Sequence, residues 1–125
     1  LGNHKRDFTY IDDIVNGIIK VVDNPAKSNP NWSGHQPDPG SSRAPWRIYN
    51  IGNNSPVDLK DFIAAIEESI GIKAKMKLLP LQPGDVPDTY ADITDLQKDL
   101  KYEPKISVEQ GIKKFVDWYK EYYEQ

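Results

Sequence analysis

Arg6-Asp7-Phe8-Thr9-Tyr10-Ile11-Asp12-Asp13 is the stretch from which the rest of this chain can be read. Its pattern predicts a short strand, Arg6 to Tyr10, running into a helix that opens at Asp12 or Asp13. An aspartate suits such a junction because its carboxylate accepts hydrogen bonds from the free N–H groups of the first turn. Arg6 stands just ahead of it, where a planar, permanently charged guanidinium can hold a phosphate through two parallel N–H donors. A structural corner carrying a solvated arginine fits the same residues. The segment alone leaves both readings open.

Working outward, Ile11, Ile14, Val15, Ile18, Ile19 and Val22 share one face of a helix over Asp12 to Asp23, which Asn24-Pro25 ends. From 24 to 45 the composition turns to Pro, Gly, Ser and Asn, which predicts an exposed insert; loops of that length in compact domains are usually functional or mobile. Trp46 to Gly52 and Met76 to Leu81 read as strands. Between them, Asp58 fits an N-cap and Gly71 a left-handed helix end, with Leu59, Phe62, Ile63, Ile66 and Ile70 as the apolar face. A short helix capped by Asp92 is expected to pack through Ile93, Leu96 and Leu100. The last helix opens on the capping box Ser107-Val108-Glu109-Gln110. Its stripe of Val108, Ile112, Phe115, Trp118, Tyr119 and Tyr122 is assigned to core packing.

Composition narrows the function classes. With 125 residues, 38% hydrophobic and 28% charged, the chain is globular and holds one domain at most. A formal charge of −3 gives no general attraction to nucleic acid or to an anionic membrane surface. No apolar run is long enough to span a bilayer. Cytoplasm is the default compartment. Zero cysteines exclude disulfides, a thiolate nucleophile and cysteine metal sites. His4 and His35 lack the spacing of a metal pair and are expected to be solvated. The eight glycines form no G-x-G-x-x-G turn or P-loop, and no G-x-S-x-G elbow exists.

What remains is a set of separated positions able to converge on one ligand. Arg6 supplies a cation for phosphate. Gln82, Gly84 and Asp85 occupy a turn after a strand, where a ligand can approach the backbone beside Gly84 and Asp85 can accept from sugar hydroxyls. Leu59 opens a helix with an apolar surface suited to a base. An ordinary tight turn explains Gln82-Pro83-Gly84-Asp85 equally well.

Three motifs in order, Arg6 to Asp13, Ile48-Tyr49-Asn50-Ile51-Gly52, and Gln82-Pro83-Gly84-Asp85-Val86-Pro87 with Tyr90-Ala91-Asp92, resemble the extended short-chain dehydrogenase/reductase family. The insert ending Ala44-Pro45-Trp46-Arg47, then Asn53-Asn54-Ser55-Pro56-Val57, resembles the bacterial NAD-dependent UDP-glucuronate 4-epimerases, and essentially all 125 residues take part. The resemblance implies an α/β fold: the C-terminal part of such an enzyme, about four helices with a few short strands, lacking the N-terminal Rossmann domain. The start at Leu1 fits a fragment of a longer protein. Residues 1–125 are then a UDP-sugar-binding region.

By resemblance, Arg6 would contact the diphosphate and Leu59 would pack on uracil. Gln82 and Asp85 would approach the phosphate or ribose, with Thr89 nearby. Gln82 stands where galactose epimerases usually carry an arginine, which removes a charge from one phosphate contact. Arg43 and Arg47 are candidates for a substrate carboxylate, against the commoner reading of a loop and a strand-edge arginine. The family's NAD turn and Tyr-x-x-x-Lys pair are missing, because no tyrosine here has a lysine four residues on. This stretch is therefore expected to bind no NAD and to be inactive alone. The parent would be a homodimer that moves hydride through NAD, with a transient 4-keto sugar, between UDP-glucuronate and UDP-galacturonate. A UDP-sugar decarboxylase or 4,6-dehydratase shares the Arg6 and Asp85 motifs. A non-catalytic protein-binding module using the insert and the Trp118-Tyr119 helix is the alternative from another class. In the isolated region, Ile48 to Gly52 would miss the parent sheet. The first and second helices would lack cover, a surface able to drive self-association.

Overall fold

The computed structural model describes residues 2–123, and in them the four apolar stripes form four helices. These are α1 (Ile11–Asp23), α2 (Leu59–Ile70), α3 (Thr94–Leu100) and α4 (Val108–Tyr122). Strands β1 (Lys5–Arg6) and β2 (Val57–Asp58) pair antiparallel, Lys5 opposite Asp58 and Arg6 opposite Val57. The result is the α/β arrangement expected, with much less strand. No described helix is long and apolar enough to cross a membrane.

Local signals for helix ends are realised well. Ser107 accepts from the Gln110 amide while the Gln110 side chain accepts from the Ser107 amide, so the capping box of α4 is complete. Gly71 ends α2 at φ 81°, in the left-handed region where a Cβ is costly. Asp58 occupies the N-cap of α2, without a side-chain capping bond. Asp92 accepts from the Thr94 amide but lies two residues ahead of α3, whose N-cap is Ile93 rather than the expected Asp92. The first helix differs: α1 starts at Ile11 with Tyr10 as its N-cap, and the Asp13 and Ile14 amides bond to the Tyr10 carbonyl. Asp12 and Asp13 fall in the first turn, where the helix dipole favours carboxylates. Asp13 is buried and accepts from the Lys105 and Ile106 amides, which fixes α1 to the segment entering α4.

Three expected strands shrink or vanish. The first ends after Arg6, since its neighbours supply only Val57–Asp58 on one edge and a single bridge to Asp88 on the other. Across Arg47 to Ile51, inward and outward residues alternate as in a strand, with Tyr49 and Ile51 on the core and Ile48 exposed. Its pairing is limited to one bridge, Arg47 with Ser41. Met76 to Leu81 is exposed throughout and forms no ladder among the described residues. Alternation marks a face; a ladder needs a neighbouring chain as well.

Two apolar clusters form the interior. Ile93, Leu96 and Tyr102 are almost fully buried and gather Val21, Tyr49, Ile51, Ala91 and Leu100. Between α2 and α4, Val108, Ile112 and Val116 pack with Phe8, Val57, Phe62, Ala65 and Ile66, and Phe8 stacks on Phe62 at 3.9 Å. The core role assigned to the rest of the α4 stripe is overturned: Phe115, Trp118, Tyr119 and Tyr122 are 54%, 49%, 41% and 66% exposed. The twelve-residue α2 covers α4 only around Val108 to Val116, so the later rings stack on one another instead. On α1, Ile11, Val15, Ile18, Ile19 and Val22 are likewise exposed.

The insert folds on itself without a helix. Trp32 Nε1 donates to the Asp38 carbonyl, the Asn29 amide to the Ser42 carbonyl, and Ser41 is buried. Arg47 fastens it to α3, pairing with Asp38 at 3.1 Å, Asp95 at 2.8 Å and Asp99 at 3.5 Å. The Ser41 hydroxyl and the Gly40 amide, with the Arg47 charge, hold the Asp38 carboxyl below its ordinary range. With three carboxylates as partners, Arg47 is a structural clamp rather than a free carboxylate receptor.

Candidate functional site

The predicted site residues converge on the two residues of β1. On one edge, the Leu59 amide donates to the His4 carbonyl, which seats the start of α2 beside the strand. On the other edge, the Lys5 amide donates to the Pro87 carbonyl and to Asp88 Oδ1, and the Thr89 amide returns to the Lys5 carbonyl. Residues 85–89 therefore run along β1 although they lie about eighty positions away in sequence.

Arg6 binds this loop. Nη1 donates to the Lys5 carbonyl at 3.0 Å and the Pro87 carbonyl at 2.8 Å; Nη2 donates to the Val86 carbonyl at 2.8 Å and Asp85 Oδ1 at 3.1 Å. A guanidinium carries five N–H donors. The two terminal nitrogens are thus engaged, and Nε–H makes no bond among the described residues. At 25% side-chain exposure Arg6 is half-buried, so the solvated-arginine alternative does not describe it.

The Gln82-Pro83-Gly84-Asp85 turn closes through the Asp85 amide and the Gln82 carbonyl at 3.1 Å, with Gly84 at φ 88°. Proline followed by a positive-φ glycine is a type II turn. It leaves Gln82 exposed and aims Asp85 Oδ1 at Arg6 and at the Val86 amide. Thr89 Oγ accepts from the Asp7 amide at 3.3 Å and keeps its own O–H to donate. Arg6, Asp85 and Thr89 are in one bonded assembly, Gln82 lies on the adjoining turn, and Leu59 flanks the opposite edge. His4, expected to be solvated, is half-buried with Nδ1 shielded from solvent.

Sequence reasoning passed over Asp7. Its Oδ2 accepts from the Asn54 amide at 3.1 Å and the Ala91 amide at 3.0 Å, and its Oδ1 from the Ser55 amide at 3.3 Å. These donors are 47 to 84 positions away, so local pattern carries no signal for them.

This frame of helices around a β1 junction has the fold of one part of the epimerases and dehydratases of the short-chain dehydrogenase/reductase class. Residues 1–115 match the family described as GDP-mannose 4,6 dehydratase, and the chain belongs to that family. It is 54% identical over 124 residues to Protein CapI of Staphylococcus aureus, covering 99% of this chain and 37% of that protein. It is 44% identical over 123 residues to UDP-glucuronate 4-epimerase 5 of Arabidopsis thaliana, covering 98% of this chain and 27% of that one. The crystal structure of UDP-glucuronic acid 4-epimerase from Bacillus cereus, in complex with UDP-glucuronic acid and NAD, superposes with a TM-score of 0.75. Its identity is 27%, over 98% of this chain and 34% of that one. The chain thus spans about a third of the length of the proteins it matches.

Proposed function

We propose that this chain is the UDP-sugar-binding part of an NAD-dependent epimerase that interconverts UDP-glucuronate and UDP-galacturonate. The observation that carries the reading is the Arg6 junction: a guanidinium with an unengaged Nε–H, flanked by Asp85 and by the Thr89 hydroxyl. The likeness to UDP-glucuronate 4-epimerases supports the choice of nucleotide sugar.

Under this reading Arg6 meets the diphosphate with its charge and Nε–H, and yields one of its carbonyl partners when a phosphate oxygen takes a terminal nitrogen. Asp85 uses Oδ2 toward a ribose hydroxyl while Oδ1 stays on Arg6. Thr89 donates its hydroxyl proton, Gln82 adds an amide hydrogen bond at the turn, and Leu59 packs on uracil. Decarboxylases and dehydratases of the family would use the same wall, so the reaction rests on the relatives and the ligand class on the site.

The pyrophosphate of NAD does not fit the turn glycines Gly71 and Gly84. Gly71 ends a helix and Gly84 sits in a turn, and neither opens a helix whose first amides could take a pyrophosphate.

Calorimetric titration of UDP tests the reading. The chain should bind UDP, and Arg6→Ala should weaken binding by about 10- to 100-fold, the worth of one or two charge-assisted hydrogen bonds. Equal UDP affinity in the two proteins refutes the assignment.

A further inference from the structure

We infer that Asp7 is the positioning residue of this site: one carboxylate that binds the loop after Gly52 and the 85–91 loop to β1, and so sets the order of the segment carrying Asp85 and Thr89. The inference rests on the nucleotide-sugar reading for its ligand, and on the geometry around Asp7 for the rest.

Asp7 meets the 85–91 segment from both sides of its own peptide. Its amide donates to Thr89 Oγ and its Oδ2 accepts from the Ala91 amide, while the preceding residue, Arg6, takes the Val86 and Pro87 carbonyls. The segment is therefore pinned near both ends by two adjacent residues. Lys5 holds the middle, its amide on the Pro87 carbonyl and Asp88 Oδ1 and its carbonyl on the Thr89 amide, so what Asp7 adds is the anchorage of the Thr89 side chain and of Ala91 beyond it.

The other side of the carboxylate is shaped to receive it. Asn54 sits at φ 56°, a left-handed conformation that asparagine tolerates better than most residues, and the Asn54 and Ser55 amides point in succession at Asp7. Consecutive amides around a left-handed residue form a small anion-binding concavity. Here the anion is a side chain of the same chain. Gly52 shows how closely the two loops press together at this point. A Cβ on Gly52 would lie 2.9 Å from Asp7 Oδ2 and inside the contact distance of the Ala91 Cβ. Three amides take three of the about four acceptor sites of the carboxylate, and its effect on binding is exerted through Arg6, Asp85 and Thr89.

Asparagine at position 7 offers one carbonyl oxygen in place of two carboxylate oxygens. Placed where Oδ2 lies, it retains the Asn54 and Ala91 amides and turns its NH2 toward Ser55. Asp7→Asn is therefore a partial loss and Asp7→Ala a complete one. Amide hydrogen exchange and UDP titration on the chain and both variants test this, under conditions where far-UV circular dichroism matches the wild type. In Asp7→Ala, protection should fall not only at Asn54, Ser55 and Ala91 but also at the Asp85 and Thr89 amides, which touch Gln82 and Lys5 rather than the carboxylate. UDP affinity should drop about tenfold or more in Asp7→Ala and several-fold in Asp7→Asn, on the scale of charge-assisted hydrogen bonds. General destabilisation would raise exchange throughout α2 and α4 and leave the affinity of the folded fraction unchanged. Should Asp7→Ala not fold, Asp7→Asn decides, with Ser55 deprotected and UDP binding weakened. Unchanged protection at Asp85 and Thr89, or wild-type affinity with those amides exposed, overturns the inference. If the wild-type chain leaves UDP unbound, the nucleotide reading fails, and exchange at Asp85 and Thr89 alone decides the role of Asp7.

Discussion

Replacing Tyr102 with phenylalanine should lower stability near neutral pH and yet remove most of a loss of stability in alkali. Tyr102 is fully buried at the centre of one apolar cluster, and its hydroxyl donates to the carbonyl of buried Gly52 at 3.1 Å. Without the hydroxyl that carbonyl is left dry and unpaired, a cost of about 1–3 kcal/mol. Burial first, then the negative fields of Asp13 and Asp7, push the Tyr102 phenol from 10.0 up to about 12. The unfolded chain therefore releases this proton before the folded one. Below pH 10 the contribution is fully present; between pH 10 and 12 the unfolded state binds fewer protons, and stability falls as pH rises. A gap of about two units corresponds to about 3 kcal/mol. Urea unfolding followed by circular dichroism should show the wild type ahead near neutrality and its advantage shrinking to nothing by about pH 12. The two proteins differ only in this phenol, so the difference between the two curves isolates Tyr102. Parallel curves across the alkaline range would show that the Tyr102 proton is not the one linked to folding.

Ser107→Ala removes one half of the α4 capping box and should cost about 1 kcal/mol in urea unfolding, while Ser107→Asp should restore most of it; an unchanged midpoint for Ser107→Ala would argue against the cap. The exposed faces of α1 and of the later turns of α4 should make the chain self-associate. In sedimentation velocity, Ile18→Asp should weaken that association by about tenfold or more, because the new charge would have to be buried. A wild-type chain that stays monomeric across the concentration range would rule the association out.

Features decided within a few residues were legible in the sequence. Ser107 with Gln110 and Gly71 after α2 are examples, since a cap or a left-handed glycine acts on amides and carbonyls next to it. Strand readings at Met76 to Leu81 and Trp46 to Gly52 failed for the opposite reason: period-two alternation is local, but a ladder depends on a neighbour elsewhere. The α4 stripe shows the same limit for helices. Spacing grouped Phe115, Trp118, Tyr119 and Tyr122 with Val108 and Ile112, yet only the span facing α2 is covered. At the candidate site, Arg6 and Asp85 each stood out in the sequence as residue types suited to a ligand, whereas their 3.1 Å pairing across the chain did not. Asp13 was misread as a cap because a carboxylate at a helix start has an ordinary local use that hides a distant one.

That distant use explains how so little sheet holds the loops in register. Backbone amides in buried turns need acceptors, and a ladder normally supplies them. Here both strands are two residues long, and carboxylates take over the task. Asp7 gathers the amides of Asn54, Ser55 and Ala91; Asp13 takes those of Lys105 and Ile106; Asp88 takes that of Lys5. A ladder spreads its hydrogen bonds over many residues, each replaceable because the contribution lies in the backbone. A carboxylate concentrates several on one side chain, so a single substitution releases segments that are far apart in sequence. The two carboxylate junctions also divide the work: buried Asp13 joins α1 to the entrance of α4, and half-buried Asp7 joins the two loops beside Arg6. Loss of Asp13 should therefore loosen the frame and leave the Arg6 contacts in place, while loss of Asp7 should do the reverse.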